Sequence, residues 1–210
     1  MNPLYKNEAC IENFEEACIA FNNGAHQIEL CSRLDLDGCT PHHHDIINCL
    51  ERLNMRVKVM IRPTAGSFVI STADIEAMKK EMITMKDLEV QEVVFGMTTV
   101  ERRLDLDQIA ALRDHAYPME VTIHKAIDTS SDILADTDQL IKMGGIKSIL
   151  SSGGRPTALE GLSTLREMIK LASDDIQIIP AGKITWENVN NIHELLQNNI
   201  YHGRRIVPLD

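Results

Sequence analysis

The 210-residue sequence predicts a single α/β domain folded as a (β/α)8 barrel, a TIM barrel, across residues 1–210. Three observations predict it. Eight short runs rich in β-branched residues alternate with amphipathic stretches, and the unit recurs at about 25 residues, the pattern of parallel strands joined by right-handed crossovers. Several of these runs end in polar residues, which a closed barrel would gather at one mouth. No Gly-rich dinucleotide fingerprint follows any strand, which weakens the competing doubly wound open sheet.

Taken in order, the strands are expected at "NEACIE" (7–12), "HQIELC" (26–31), "RVKVMIR" (56–62), "EVVFG" (92–96), "EVTIHK" (120–125), "KSILSS" (147–152), "IQIIPAG" (176–182) and "NIYHG" (199–203). Between them, apolar residues at helical spacing predict helices over 14–24, 42–54, 71–89, 105–116, 133–145, 158–173 and 185–198. Ser71 or Thr72 supplies an N-cap for the third, while Gly24 and Gly144 stand where a helix end wants a left-handed residue. Met78, Met82 and Met85 follow helical spacing and read as a core stripe.

Strand parity then selects candidate functional residues. Side chains two apart share a face, so Glu8 points with Cys10, and Glu29 with Cys31, while Ala9, Ile11, Ile28 and Leu30 face the helices. By the same rule Thr122 joins His124, and Arg62 ends a strand whose Val57, Val59 and Ile61 face outward. An interior so built receives two carboxylates, two thiols, a guanidinium and an imidazole. Each alone has a plain explanation: Glu29 with Arg62, for instance, makes sense as an internal ion pair, since unpaired buried charge costs several kcal/mol. Gathered at one end, they suggest a site. "VTIHKAID" adds Lys125 and Asp128 beside His124, with Asp128 either holding the loop or orienting the imidazole.

The charge of −10, from 31 acids and 21 bases, disfavours broad contact with nucleic acid or an anionic membrane. No apolar run has the length of a membrane span, and the polar start lacks the pattern of a signal peptide, so a cytoplasmic protein is expected. The five cysteines (10, 18, 31, 39 and 49) include no C-x-x-C pair and are expected as free thiols. Cys18 and Cys49 sit in amphipathic helices as small hydrophobes, and Cys39 lies in a loop. Cys10 and Cys31, on the inward face of adjacent strands, could hold one soft ion; two thiolates in near-linear geometry suit Cu(I), with a methionine or histidine available as a third ligand. The run His42–His43–His44 fans around a helix start and cannot chelate one ion.

Two loops invite an anion. "SSGGRP" (151–156) and "AGKIT" (181–185) offer backbone N–H groups at Ser152, Gly153 and Gly182, with Arg155 and Lys183 nearby, in the loops where barrel enzymes often hold phosphate. The plain alternative is that Gly153 and Gly154 only turn the chain.

"NNGAHQIELC", "DGCTP", "IRPTAGSF", "VTIHKAID", "ILSSGG", "LEGL" and "YHG" occur in the order and approximate spacing of the CutC family, and the sequence resembles that family from about Glu8 to His202. The resemblance implies a cytoplasmic, usually oligomeric (β/α)8 barrel linked to copper handling, with Cu(I) bound through cysteines in some members. Carried over, the family's polar mouth falls on Glu8, Cys10, Glu29, Cys31, Arg62, His124, Asp128, Ser152 and His202. The chain departs from the family pattern at Lys125 and Ile127 (in place of Arg and Phe), at Ala65 and Ser67 (in place of Gly and Asp), and at Lys183 in a glycine run, so a loop acid and a guanidinium are lost together. Family members continue beyond the residues after His202, so the expectation here is a barrel without its last helix, or one whose partner subunit covers that face.

Two functions follow. In the first, Cys10 and Cys31 hold a copper ion, Cu(I). In the second, the barrel is an enzyme acting on a small anionic molecule, a phosphate or carboxylate: His124, Glu29 or Glu8 acts as acid or base, and Arg62, Lys125, Asp128, Ser152, Gly153, Gly182 and His202 line the anion site. A homo-oligomer is expected in either case.

Overall fold

The computed structural model of the protein describes residues 4–209. Eight parallel strands, β1 (Lys6–Ile11), β2 (Gln27–Leu30), β3 (Arg56–Met60), β4 (Glu92–Phe95), β5 (Glu120–Ile123), β6 (Ser148–Ser151), β7 (Gln177–Pro180) and β8 (Ile200–Gly203), form one sheet in the order 7-6-5-4-3-2-1-8. Seven helices alternate with them: α1 (Phe14–Asn22), α2 (His43–Arg52), α3 (Thr72–Asp87), α4 (Leu106–Ala116), α5 (Ile133–Met143), α6 (Leu162–Ala172) and α7 (Val189–Leu196). The sheet curls into a nearly closed (β/α)8 barrel whose seam lies between β7 and β8. No strand ladder crosses that seam; instead Thr185 and Arg205 bridge the loops beyond it, and the Asn198 side-chain amide donates to the carbonyls of Ile178 and Ile200. Among the described residues no helix follows β8, and none is long and apolar enough to cross a membrane.

All eight expected strands are present with ends shifted by one or two residues, because pairing stops where the chain turns outward to a loop. The helix starts are set by caps. Asn13 accepts from the Glu16 N–H, and Ser71, not Thr72, caps α3 in a reciprocal box with Asp74. Two helices begin later than expected. Before α6, Thr157 and Glu160 bond each other, and Gly161 is pressed against the Ser152 carbonyl where no Cβ fits. Before α7, the Asn188 side chain accepts from Thr185 N–H and donates to the Lys183 carbonyl, which holds the chain in a turn until Val189.

Parity divides the core as expected. Ala9, Ile11, Ile28, Leu30, Val57, Val59 and Ile61 pack against the helices, joined by Met78, Met82 and Met85. Inside the barrel two apolar groups line opposite walls: Cys10, Cys31, Met60 and Val94 on one side, and Leu150, Ile179, Ala181 and Ile200 on the other. Each buried Leu, Ile, Val or Met contributes on the order of 1.5–3 kcal/mol to folding.

Candidate functional site

The barrel interior is charged at mid-height. Lys58 Nζ lies 2.9 Å from Glu8 Oε2, 3.1 Å from Glu92 Oε1 and 3.3 Å from Thr122 Oγ1, all buried. Gln27 also donates to Glu8, and Arg56 pairs with Glu92 and Glu120 below. Sequence reasoning overlooked Lys58 and Glu92, yet parity held the signal: Lys58 shares a face with Met60, and Glu92 with Val94. Burial alone would raise the Glu8 carboxyl, but Lys58 and His202 outweigh it and hold Glu8 ionised, far below the usual carboxylate range.

Above this layer the mouth opens. A cavity of about 550 Å³ is lined by Cys10, Glu29, Cys31 and His202 on one side and His124 on the other, with Lys125, Arg155, Lys183 and Arg204 among the charged groups around it. Strand register makes the thiol pair: Cys10 sits opposite Glu29, one step below the place where Cys31 leaves β2, and the two sulfurs lie 4.0 Å apart. Cys31 Sγ donates to Glu29 Oε1 at 3.3 Å. His202 Nδ1 lies 2.9 Å from Glu8 Oε1 and 3.8 Å from Glu29 Oε2. Hydrogen-bonded contact with Cys31 brings the Cys10 thiol down to about 5, while the same contact and burial push Cys31 well up. Burial raises Glu29 to about 7. His202 is raised well above the usual imidazole value, because its bonds to Cys10 and Glu8 and the Glu29 charge overcome the effect of burial.

His124 is different in kind. It follows directly on β5 with its ring buried, and Nδ1 accepts from the Ala126 N–H at 3.1 Å, so the neutral ring carries its proton on Nε2. Burial, then the nearby Arg62 charge, lower it to about 3, and the ring is neutral at physiological pH. A side chain at Gly96 would collide with this ring, its Cβ falling 2.8 Å from Nδ1. Among the described residues, Asn7 Oδ1, Glu29 Oε2 and His124 Nε2 are buried without a hydrogen-bond partner, and of the three residues Glu29 and His124 line the cavity.

Several expected anion ligands are otherwise engaged. Arg62 does not line the mouth cavity and forms no pair with Glu29. Two residues past the end of β3, its guanidinium turns sideways and donates to the carbonyls of Leu36, Asp37, Gly38 and Gly66, under the Phe68 ring at 4.7 Å. It ties together the loops after β2 and β3. Asp128 does not touch His124; it accepts from Ser151 Oγ, Ser152 Oγ, Ser152 N–H and Gly154 N–H, while the Gly153 N–H goes to Ser151 Oγ. The N–H cradle read for an external anion is therefore filled by the chain's own carboxylate. Lys125 Nζ stands 3.8 Å from Asp128 and half-exposed at the rim. Gly182, at φ 98°, is required because a Cβ there would meet Ser152. Arg204, another side chain the sequence reading passed over, lines the cavity but pairs with Glu16 and Glu12.

Of the remaining thiols, Cys49 is buried, Cys18 and Cys39 are partly so, and all five cysteines are free. His42 caps α2 without a side-chain bond, and the three histidines form no metal cluster.

Comparison with known proteins places this geometry in a family. The CutC family profile matches residues 5–206. A CutC family protein of Pasteurella multocida is 34% identical over 183 residues, covering 87% of this chain and 75% of the relative. The human copper homeostasis protein cutC homolog is 34% identical over 187 residues, 89% of this chain and 68% of that one. The solved CutC structure from Streptococcus agalactiae superposes with a TM-score of 0.91 at 27% identity, covering 97% of this chain and 100% of that one. With the profile spanning nearly all of its length and the fold superposing over 97% of it, the chain belongs to the CutC family.

Proposed function

We propose that this CutC protein takes part in copper homeostasis by binding Cu(I) between Cys10 and Cys31 at the barrel mouth. The observation that carries the reading is the 4.0 Å separation of two buried sulfurs that border an open cavity. Thiolates are the donors that favour Cu(I) over harder ions. With metal–sulfur bonds of about 2.3 Å, this spacing subtends about 120° at an ion, so the pair favours a bent arrangement over the near-linear one. A third position then opens toward Met60, whose thioether packs in the same apolar group, or toward His202. The reading also takes the protein to be cytoplasmic and homo-oligomeric; a monomer by light scattering would remove the second expectation.

The test is an anaerobic Cu(I) titration against a competing chelator. Wild type binds one equivalent tightly, Cys10→Ser/Cys31→Ser loses that site, and His124→Ala keeps it. Weak binding, or binding indifferent to the two thiols, contradicts the reading.

The two unpartnered buried groups on cavity-lining residues favour a second reading, an enzyme or binding protein for a small anionic molecule. In it Glu29, pushed to about 7, is the group suited to proton transfer. Glu8 is locked between Lys58 and His202 and serves to hold them. The cations at the rim meet the anion, whose binding would be indifferent to the Cys10→Ser/Cys31→Ser change.

A further inference from the structure

We infer that His124 is a fixed hydrogen-bond donor, through Nε2–H, to the carbonyl oxygen of a small anion held in the mouth cavity by Arg155 and Lys183. The inference rests on the second reading above and names its ligand class. Three observations support it. The Ala126 N–H fixes the tautomer by bonding Nδ1, so Nε2 can only donate. The atom is buried and unpartnered, on a residue that borders the cavity, and a buried donor left without an acceptor costs about 1–3 kcal/mol unless a ligand supplies one. The ring is also seated by construction: Gly96 gives it room on one side, Phe68 lies 5.2 Å away on another, and the Arg62 charge opposes protonation.

A neutral imidazole whose donor is fixed in place can polarise a carbonyl without itself gaining a proton. The anionic end cannot use the loop backbone, whose N–H groups already hold Asp128. It falls instead to side chains. Arg155 and Lys183 line the cavity, are exposed, and enter no ion pair among the described residues, whereas Arg204 is committed to Glu16 and Glu12 and Lys125 leans to Asp128. Exposed cations give weak, salt-sensitive anchoring, so selection among anions falls to the His124 donor.

The experiment follows the His124 imidazole by nitrogen-resolved NMR while dihydroxyacetone phosphate, pyruvate and inorganic phosphate are added in turn. We expect a saturable shift of the Nε2–H signal with at least one of the two carbonyl anions and none with phosphate alone. His124→Phe should weaken that carbonyl anion about tenfold or more without changing phosphate binding or the Cu(I) titration. His124→Gln, which can accept from Ala126 and still donate, should restore much of the affinity. If the carbonyl anions bind through Arg155 and Lys183 while the Nε2–H signal stays fixed, the role of His124 is overturned and the anion site stands. If no anion binds wild type at millimolar concentration, both the inference and the second reading fall.

Discussion

At the scale of single residues, His124 gives a pH prediction with a definite sign. Its folded value of about 3 lies below the ordinary imidazole value near 6.5, so the unfolded chain takes up the proton first. The stabilising contribution is complete above pH 6.5 and is lost as pH falls from there toward 3. Glu8, also lowered, adds a loss of the same sign only below the ordinary carboxylate range, and His26 adds a smaller one that a change at 124 does not touch. Thermal midpoints from pH 7.5 to 5 should therefore fall more for wild type than for His124→Gln. Parallel curves would contradict the buried neutral imidazole. This residue was legible as a site candidate from strand parity, but its protonation was not: the Ala126 N–H and the Arg62 charge that fix it are products of the folded loop.

Among elements, the loop after β6 and the layer at mid-barrel each make a prediction. Asp128 draws three donors and a further hydroxyl from residues 151–154, across more than 20 positions of sequence. Asp128→Ala leaves two N–H groups without an acceptor and should cost about 2–4 kcal/mol in urea denaturation. Because the vacated cradle suits an oxyanion, sulfate should stabilise that variant more than it stabilises wild type. The sequence exposed the cradle and missed its occupant, since a glycine pair advertises N–H groups whereas their partner comes from the preceding loop. In the mid-barrel layer, Lys58→Met strands Glu8 and Glu92 without their shared cation and should destabilise by about 3–5 kcal/mol, with Glu8→Gln/Lys58→Met/Glu92→Gln recovering most of it. Failure of the triple variant to recover would mean the ions do more than neutralise one another.

For the molecule as a whole, the fold was open to reading because a closed parallel barrel imposes one rule on every strand. Apolar residues on one parity pack against helices, and the other parity is free to carry chemistry, which is why Ala9, Ile11, Ile28 and Leu30 separate from Glu8, Cys10, Glu29 and Cys31 in both sequence and structure. Parity says which way a side chain points and nothing about what it meets, so Arg62, two residues past its strand, was read as an anion ligand when it braces two loops. The two sulfurs are the opposite case. They meet because β1 and β2 are adjacent and in a register that pairs Cys10 with Glu29, one inward-facing position before Cys31, a consequence of the whole barrel closing. The most direct test of what that meeting is for is X-ray absorption at the copper edge on anaerobically loaded wild-type protein. The account predicts Cu(I) with at least two sulfur neighbours at about 2.3 Å, the two thiolates being lost in Cys10→Ser/Cys31→Ser. A copper site with only nitrogen or oxygen neighbours, or one unaltered by the double substitution, would contradict it.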